Sequence, residues 1–125
     1  MTIMEAISRV DDLIPNTHTL VEKVRWLSHV DGVIRSTVIG LYEGRPTEAF
    51  EGYREDVSGD TVLMVPAPFD ELYLRWLEAQ IHYYNGEMDR YNNAILLYKD
   101  LLEGFKDHYH RTHMPLSGTG RRFLF

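Results

Sequence analysis

The sequence predicts a mainly α-helical bundle with one very long C-terminal helix, a long loop carrying a short β-strand or hairpin, and an extended C-terminal arm. Three observations carry that expectation. From Leu77 to Tyr109 the apolar residues Leu77, Ile81, Tyr84, Met88, Tyr91, Ile95, Tyr98, Leu102, Phe105 and Tyr109 recur at alternating spacings of four and three, the stripe of an amphipathic helix. Two segments open on Thr-x-x-Glu, at Thr2–Glu5 and Thr19–Glu22, the pattern in which hydroxyl and carboxylate satisfy each other's exposed amides. Only Thr61-Val62-Leu63-Met64-Val65 reads as β.

The first helix follows Thr2, shows Ile3, Ile7, Val10 and Leu13/Ile14 on one side, and stops at Pro15-Asn16. The second follows Thr19. Its stripe is Leu20, Val24, Leu27, Val30/Asp31, Ile34, Val38 and Leu41, reaching about Glu43, where Gly44-Arg45-Pro46 ends it. Residues 44–69 lose the helical period and gather Glu48, Glu51, Glu55, Asp56 and Asp60 among glycines. A strand cannot stand alone, so Thr61–Val65 is expected to pair near Phe50–Tyr53 or to add to a neighbour's edge. A connection longer than about 12–15 residues usually does something, which marks 44–68 as an interaction loop.

Pro68-Phe69-Asp70-Glu71 suits the start of the last helix. Asn85-Gly86 is the one pair able to break it into a hairpin. The apolar phase runs straight through Gly86, so the spacing predicts a continuous helix from about Asp70 to Thr112, roughly 60 Å long at about 1.5 Å per residue. On that expectation Gly86→Ala is neutral or slightly helpful, whereas Gly86→Pro costs about 3 kcal/mol. A small chain cannot wrap such a rod alone, so the stripe is expected to meet other copies. Domain organisation is one helical unit, 1–115, with the loop inserted at 44–69 and an arm at 116–125. The arm's Ser117-Gly118-Thr119-Gly120 reads as a leash and its Arg121-Arg122-Phe123-Leu124-Phe125 end as an anchor to another chain.

Composition bounds the chemistry. With 44% hydrophobic and 26% charged residues the 125-residue chain is an ordinary globular domain. It has no cysteine, hence no disulfide and no thiolate nucleophile. Met1-Thr2-Ile3-Met4-Glu5 does not follow the pattern of a secretory signal, and no run approaches a membrane span, so cytosolic synthesis and no membrane partner are expected. A net charge of −6 with scattered basic residues argues against a general nucleic-acid binder. His108, His110 and His113 lie close together, and His110 and His113 have acceptable ligand spacing. No carboxylate completes a motif, and histidine near a helix C-terminus has a sufficient reason in the helix dipole. No catalytic motif is present; Asp11-Asp12 and Glu55-Asp56 read as solvated surface. Neither an enzyme nor a cofactor or metal is expected. Tyr73, Trp76, Tyr83, Tyr84, Tyr91, Tyr98 and Tyr109 spread over more than one side of the last helix, which suits surfaces buried between subunits.

The segments Lys23-Val24-Arg25-Trp26-Leu27, Leu63-Met64-Val65-Pro66-Ala67-Pro68-Phe69-Asp70, Trp76-Leu77-Glu78-Ala79-Gln80-Ile81 and Glu87-Met88-Asp89-Arg90-Tyr91-Asn92-Asn93 resemble the head–tail connector (adaptor) proteins of tailed bacteriophages and prophages. The resemblance spans about residues 15–115 and is one of pattern; the tail matches nothing specific. It implies a subunit of a ring, commonly of about twelve copies, beneath the portal protein. Such a ring extends a channel through which DNA passes without specific binding, and it docks the next neck or tail-completion protein. The chain would then reside in the virion neck and, during assembly, in the host cytoplasm. The interface residues expected are Trp76, Tyr84, Tyr91, Tyr98, Val62, Met64, Arg121, Arg122, Phe123 and Phe125. The competing reading is a cytosolic regulator that dimerises through its long helix.

Overall fold

The computed structural model describes residues 1–116 and is mainly helical, with no sheet among them. Four helices follow in order: α1 (Ile3–Leu13), α2 (Leu20–Thr37), α3 (Leu72–Tyr84) and α4 (Met88–Thr112). Single 3₁₀ turns sit at Ile39–Leu41 and Phe69–Glu71.

Both Thr-x-x-Glu starts cap their helices. Thr2 and Glu5 close a full reciprocal box, with Thr2 N–H to Glu5 at 3.0 Å and Glu5 N–H to Thr2 at 3.1 Å. At Thr19 the hydroxyl caps Glu22 N–H at 3.1 Å, and the glutamate bonds that hydroxyl instead of the backbone. The α2 stripe is buried from Val24 through Leu27, Val30 and Ile34 to Val38, but α2 ends at Thr37, short of the expected Glu43. Ser36 and Thr37 turn their hydroxyls back onto carbonyls of Gly32 and Val33, a bonding pattern that weakens and bends helix ends. Gly40 then approaches the Arg35 carbonyl so closely that a Cβ would stand 2.8 Å from it.

The expected continuous rod of 70–112 is two helices. Asn85-Gly86-Glu87 reverses the chain, and α3 and α4 lie antiparallel against each other, with ring contacts Phe69–Phe105, Trp76–Tyr98 and Tyr83–Tyr91 marking the register. The reversal is a Schellman motif. Gly86 takes φ +77°, Glu87 N–H bonds the His82 carbonyl at 2.8 Å and Gly86 N–H the Tyr83 carbonyl at 3.1 Å. The periodicity misled for an identifiable reason. Leu77, Ile81, Tyr98 and Phe105 are buried between the two arms, but Tyr84 and Met88, which carry the phase across Gly86, are 59% and 47% exposed and belong to neither arm's stripe. The stripe is therefore covered largely within one chain and does not require another copy.

α1 and α2 pack against α3 to complete the core. The far half of α4, beyond the reach of α3, is covered by Phe69, which packs on Gly104, Phe105 and His108, and by Tyr42 against Tyr109. Residues 61–65 form no strand and no hairpin with Phe50–Tyr53. They pair instead with the N-terminus through an isolated Thr2–Val62 bridge, with Ile3 N–H to Thr61 O and Leu63 N–H to Met1 O, each at 2.9 Å. The two-residue alternation is nonetheless present: Leu63 and Val65 are in the core, Val62 is 68% exposed and Met64 half-buried. The chain re-enters at 114–116, where Pro115 bridges Tyr42 and Leu116 N–H bonds Leu41 O at 3.0 Å.

The positive φ of Gly86, with open space where a Cβ would lie, makes the backbone conformation the whole cost of substitution there. Gly86→Ala is expected to destabilise by roughly 1–2 kcal/mol, with Gly86→Asn costing less because asparagine tolerates this conformation. Gly86→Pro, which cannot adopt the φ and loses the bond to Tyr83, costs about 3 kcal/mol or more. Chemical denaturation of the three variants checks the order; a neutral Gly86→Ala would restore the continuous helix.

Candidate interaction surface

The long loop is held by one buried group. Asp31 occupies a stripe position of α2, and its carboxylate is fully buried. It accepts hydrogen bonds from the Tyr73 hydroxyl of α3 at 2.5 Å, from the Tyr53 hydroxyl and from Met64 N–H at 3.2 Å. The Tyr73 hydroxyl in turn accepts Val65 N–H at 2.8 Å. Burial pushes the Asp31 carboxyl above the usual carboxylate range, against the pull of its three donors. Burial, followed by the facing carboxylate, raises both tyrosines, and Tyr98 is pushed up to about 12 by burial and then by Asp31.

Around this anchor the loop lies on α2. Tyr53 N–H bonds Ser28 Oγ at 2.9 Å, Phe50 packs on Gly32, and Arg35 donates to the Glu48 carbonyl. Gly52, at φ +91°, comes so near Ser28 that a Cβ would lie 2.5 Å from its hydroxyl. The loop is thus part of the fold as well as a surface: Tyr53 and Val57 pack on the core, while Glu43, Glu48, Glu51, Glu55, Asp56 and Asp60 all face solvent.

The expected interface residues divide. Tyr98 is buried and Trp76 half-buried: Trp76 donates Nε1–H to the Trp26 carbonyl at 2.9 Å and its ring sits 5.1 Å from Tyr98. Tyr91 is half-buried against Tyr83. Tyr84 is exposed and stacked on Trp26 at 5.6 Å, and Val62 is exposed; Met64 is half-buried. Arg121, Arg122, Phe123 and Phe125 lie outside the described residues. Of the late histidines, His108 packs on Phe69, His110 bonds the Tyr42 hydroxyl at 3.1 Å and His113 stacks on Tyr109 at 3.7 Å. No group of three or more acidic or histidine side chains is placed to hold a metal among the described residues.

Apolar side chains outside the expected interface set are exposed as well. Met4, 43% exposed, lies beside Gly59 at the N-terminal end of α1. At its other end Leu13, 63% exposed, joins Pro15 and Leu97 around an open groove of about 390 Å³. No family model, curated protein or solved structure matches the chain.

Two outcomes test the anchor. Tyr73→Phe leaves both Asp31 and Val65 N–H short of a partner and is expected to lower stability by about 1–3 kcal/mol. For Asp31, the folded chain keeps the proton to higher pH than the unfolded chain. Between the unfolded value, about 3.9, and the raised folded value the native state binds more protons, so its stability falls as pH rises through that window. Asn at this position does not titrate. The stability of wild type minus that of Asp31→Asn should therefore decline across the window and stay flat on either side of it. Urea titrations at a series of pH values read this directly; a difference that rises with pH would refute it.

Proposed function

We propose that this chain is a structural subunit of a tailed-phage or prophage neck: a head–tail connector that assembles as a ring under the portal, extends the DNA channel and docks the next neck or tail-completion protein. The observation that carries the reading is the number of large apolar side chains left exposed, among them Met4, Val62, Leu13, Leu97, Tyr84, Met88, Leu41 and Met114. A subunit that contacts two like neighbours and two unlike partners has apolar side chains to bury at each contact. The resemblance supports it on residues that organise the fold. Val24, Trp26 and Leu27 are core of α2, Leu63 to Asp70 leads from the Asp31 anchor into α3, and Glu87 closes the reversal. Acidic side chains spread over the exposed loop suit a ring through which DNA must pass without sticking.

The competing dimeric regulator loses its surface, since the stripe it would use lies largely between α3 and α4 of one chain. Light scattering on purified protein, alone and co-expressed with a phage portal protein, tests the reading. A ring of about twelve copies, alone or on the portal, is the expected result. A stable dimer indifferent to the portal would overturn it.

A further inference from the structure

The turn at Asn85-Gly86-Glu87 joins two helices that also fit end to end. α4 begins without a side-chain cap, unlike α1 and α2, so its first amides stand as they do where a longer helix is interrupted. The apolar phase of Leu77, Ile81, Tyr84, Met88, Tyr91 and Ile95 passes through the turn unbroken, and a Cβ at Gly86 meets open space. Tyr84 and Met88, on either side of the turn, are the members of that stripe left exposed. The ring contacts between the arms are centred on the turn. Phe69–Phe105, Trp76–Tyr98 and Tyr83–Tyr91 lie 18, 11 and 4 residues on either side of Glu87, one heptad apart. Two straight helices laid antiparallel about a two-fold axis at Glu87 place the same residues opposite each other. They also bring Tyr84 of each alongside Met88 of the other. α4 packs on α3 and on the Phe69–Glu71 turn, with Tyr42 against its far end, so it can leave as one piece and meet an identical surface on another copy.

We infer that Gly86 is the hinge of an exchange: the chain straightens through 85–87, and its α4 seats on α3 of a second copy, which returns its own α4. The partner is a second copy because the surface that α4 uncovers is complementary to α4. Straightening gives up the turn bonds of Gly86 and Glu87 and the 3.0 Å bond between His82 and Glu87. It supplies helical acceptors to the first amides of α4, covers Tyr84 and Met88, and re-forms the remaining α3–α4 contacts between chains. What holds the chain closed is the glycine. At φ +77° Gly86 is unstrained, where alanine is strained, and in a straight helix the order reverses. The inference concerns the subunit alone and does not rest on the connector reading.

Spin labels at Arg75→Cys and Lys99→Cys test it, in a chain with no cysteine of its own; both side chains reach solvent. Labelled chains are unfolded in urea and refolded at high concentration with an excess of unlabelled chain, and the dimer fraction is isolated by size exclusion. In the closed chain the two positions face each other across neighbouring helices whose axes are about 10 Å apart. In the exchanged dimer the straight helix from 75 to 99 separates them by about 36 Å. Refolded wild type should yield a dimer fraction with the long separation. Gly86→Ala should raise that fraction about tenfold at equal concentration, and Gly86→Asn should raise it less. Wild type gives the same distance readout where a variant fails to fold. A dimer that keeps the short separation is an ordinary association and overturns the exchange. Absence of dimer from both wild type and Gly86→Ala overturns it as well. Neither result bears on assembly with a portal, so the connector reading stands or falls on its own assay.

Discussion

A carboxylate buried without a cation is the constraint around which this molecule is arranged. Removing Asp31 from water is costly unless its oxygens are satisfied, and only hydroxyls and an amide are in place to do so. Those donors come from three places far apart in sequence: Tyr73 on α3, Tyr53 in the middle of the loop and the backbone of Met64. They converge only when α2, α3 and the loop are seated together, so the group discriminates this packing from slipped alternatives in a way that apolar contacts, which are non-directional, do not. Tyr73 extends the network one step by accepting Val65 N–H, which orients the only β-like segment so that Val65 points inward.

The second determinant is the reversal at Gly86. By folding α4 back on α3, the chain covers its own apolar stripe and leaves itself a compact helical unit instead of a rod in search of partners. α4 is 25 residues against 13 in α3, so its far half needs other cover. The chain supplies it from both sides of the loop: Phe69 just before α3, and Tyr42 just after α2. The histidines near the end of α4 join these ring contacts, which gives their clustering a packing explanation.

What stays exposed follows from that economy. The large apolar side chains left exposed include Met4 and Leu13 on α1, Tyr84 and Met88 on either side of the turn, and Leu41 and Met114. The loop's acidic side chains stay outside the core that Asp31 anchors, while Lys23, almost wholly buried, reaches Asp11 at 2.7 Å and ties α2 to α1. Burial of Asp11 opposes its ionisation, but the bonds from Lys23 and Asn16 outweigh that and hold its carboxyl below the usual range.

By itself the sequence determined what local rules govern. The helical class, the starts of α1 and α2 at their threonine caps and the buried face of α2 all follow from side-chain chemistry within a few residues. Tertiary structure decided what depends on partners distant in sequence. Asn85-Gly86 is a legible break signal, yet whether the chain turned there depended on whether two half-stripes gained more by facing each other than by continuing. Asp31 stood at an apolar position of the α2 stripe, a visible anomaly, but nothing local pointed to Tyr53 and Tyr73 as its partners. The same held for 61–65, whose β-like composition was readable while its pairing with Thr2 was not. Periodicity records which side of an element is buried; it carries no information about what buries it.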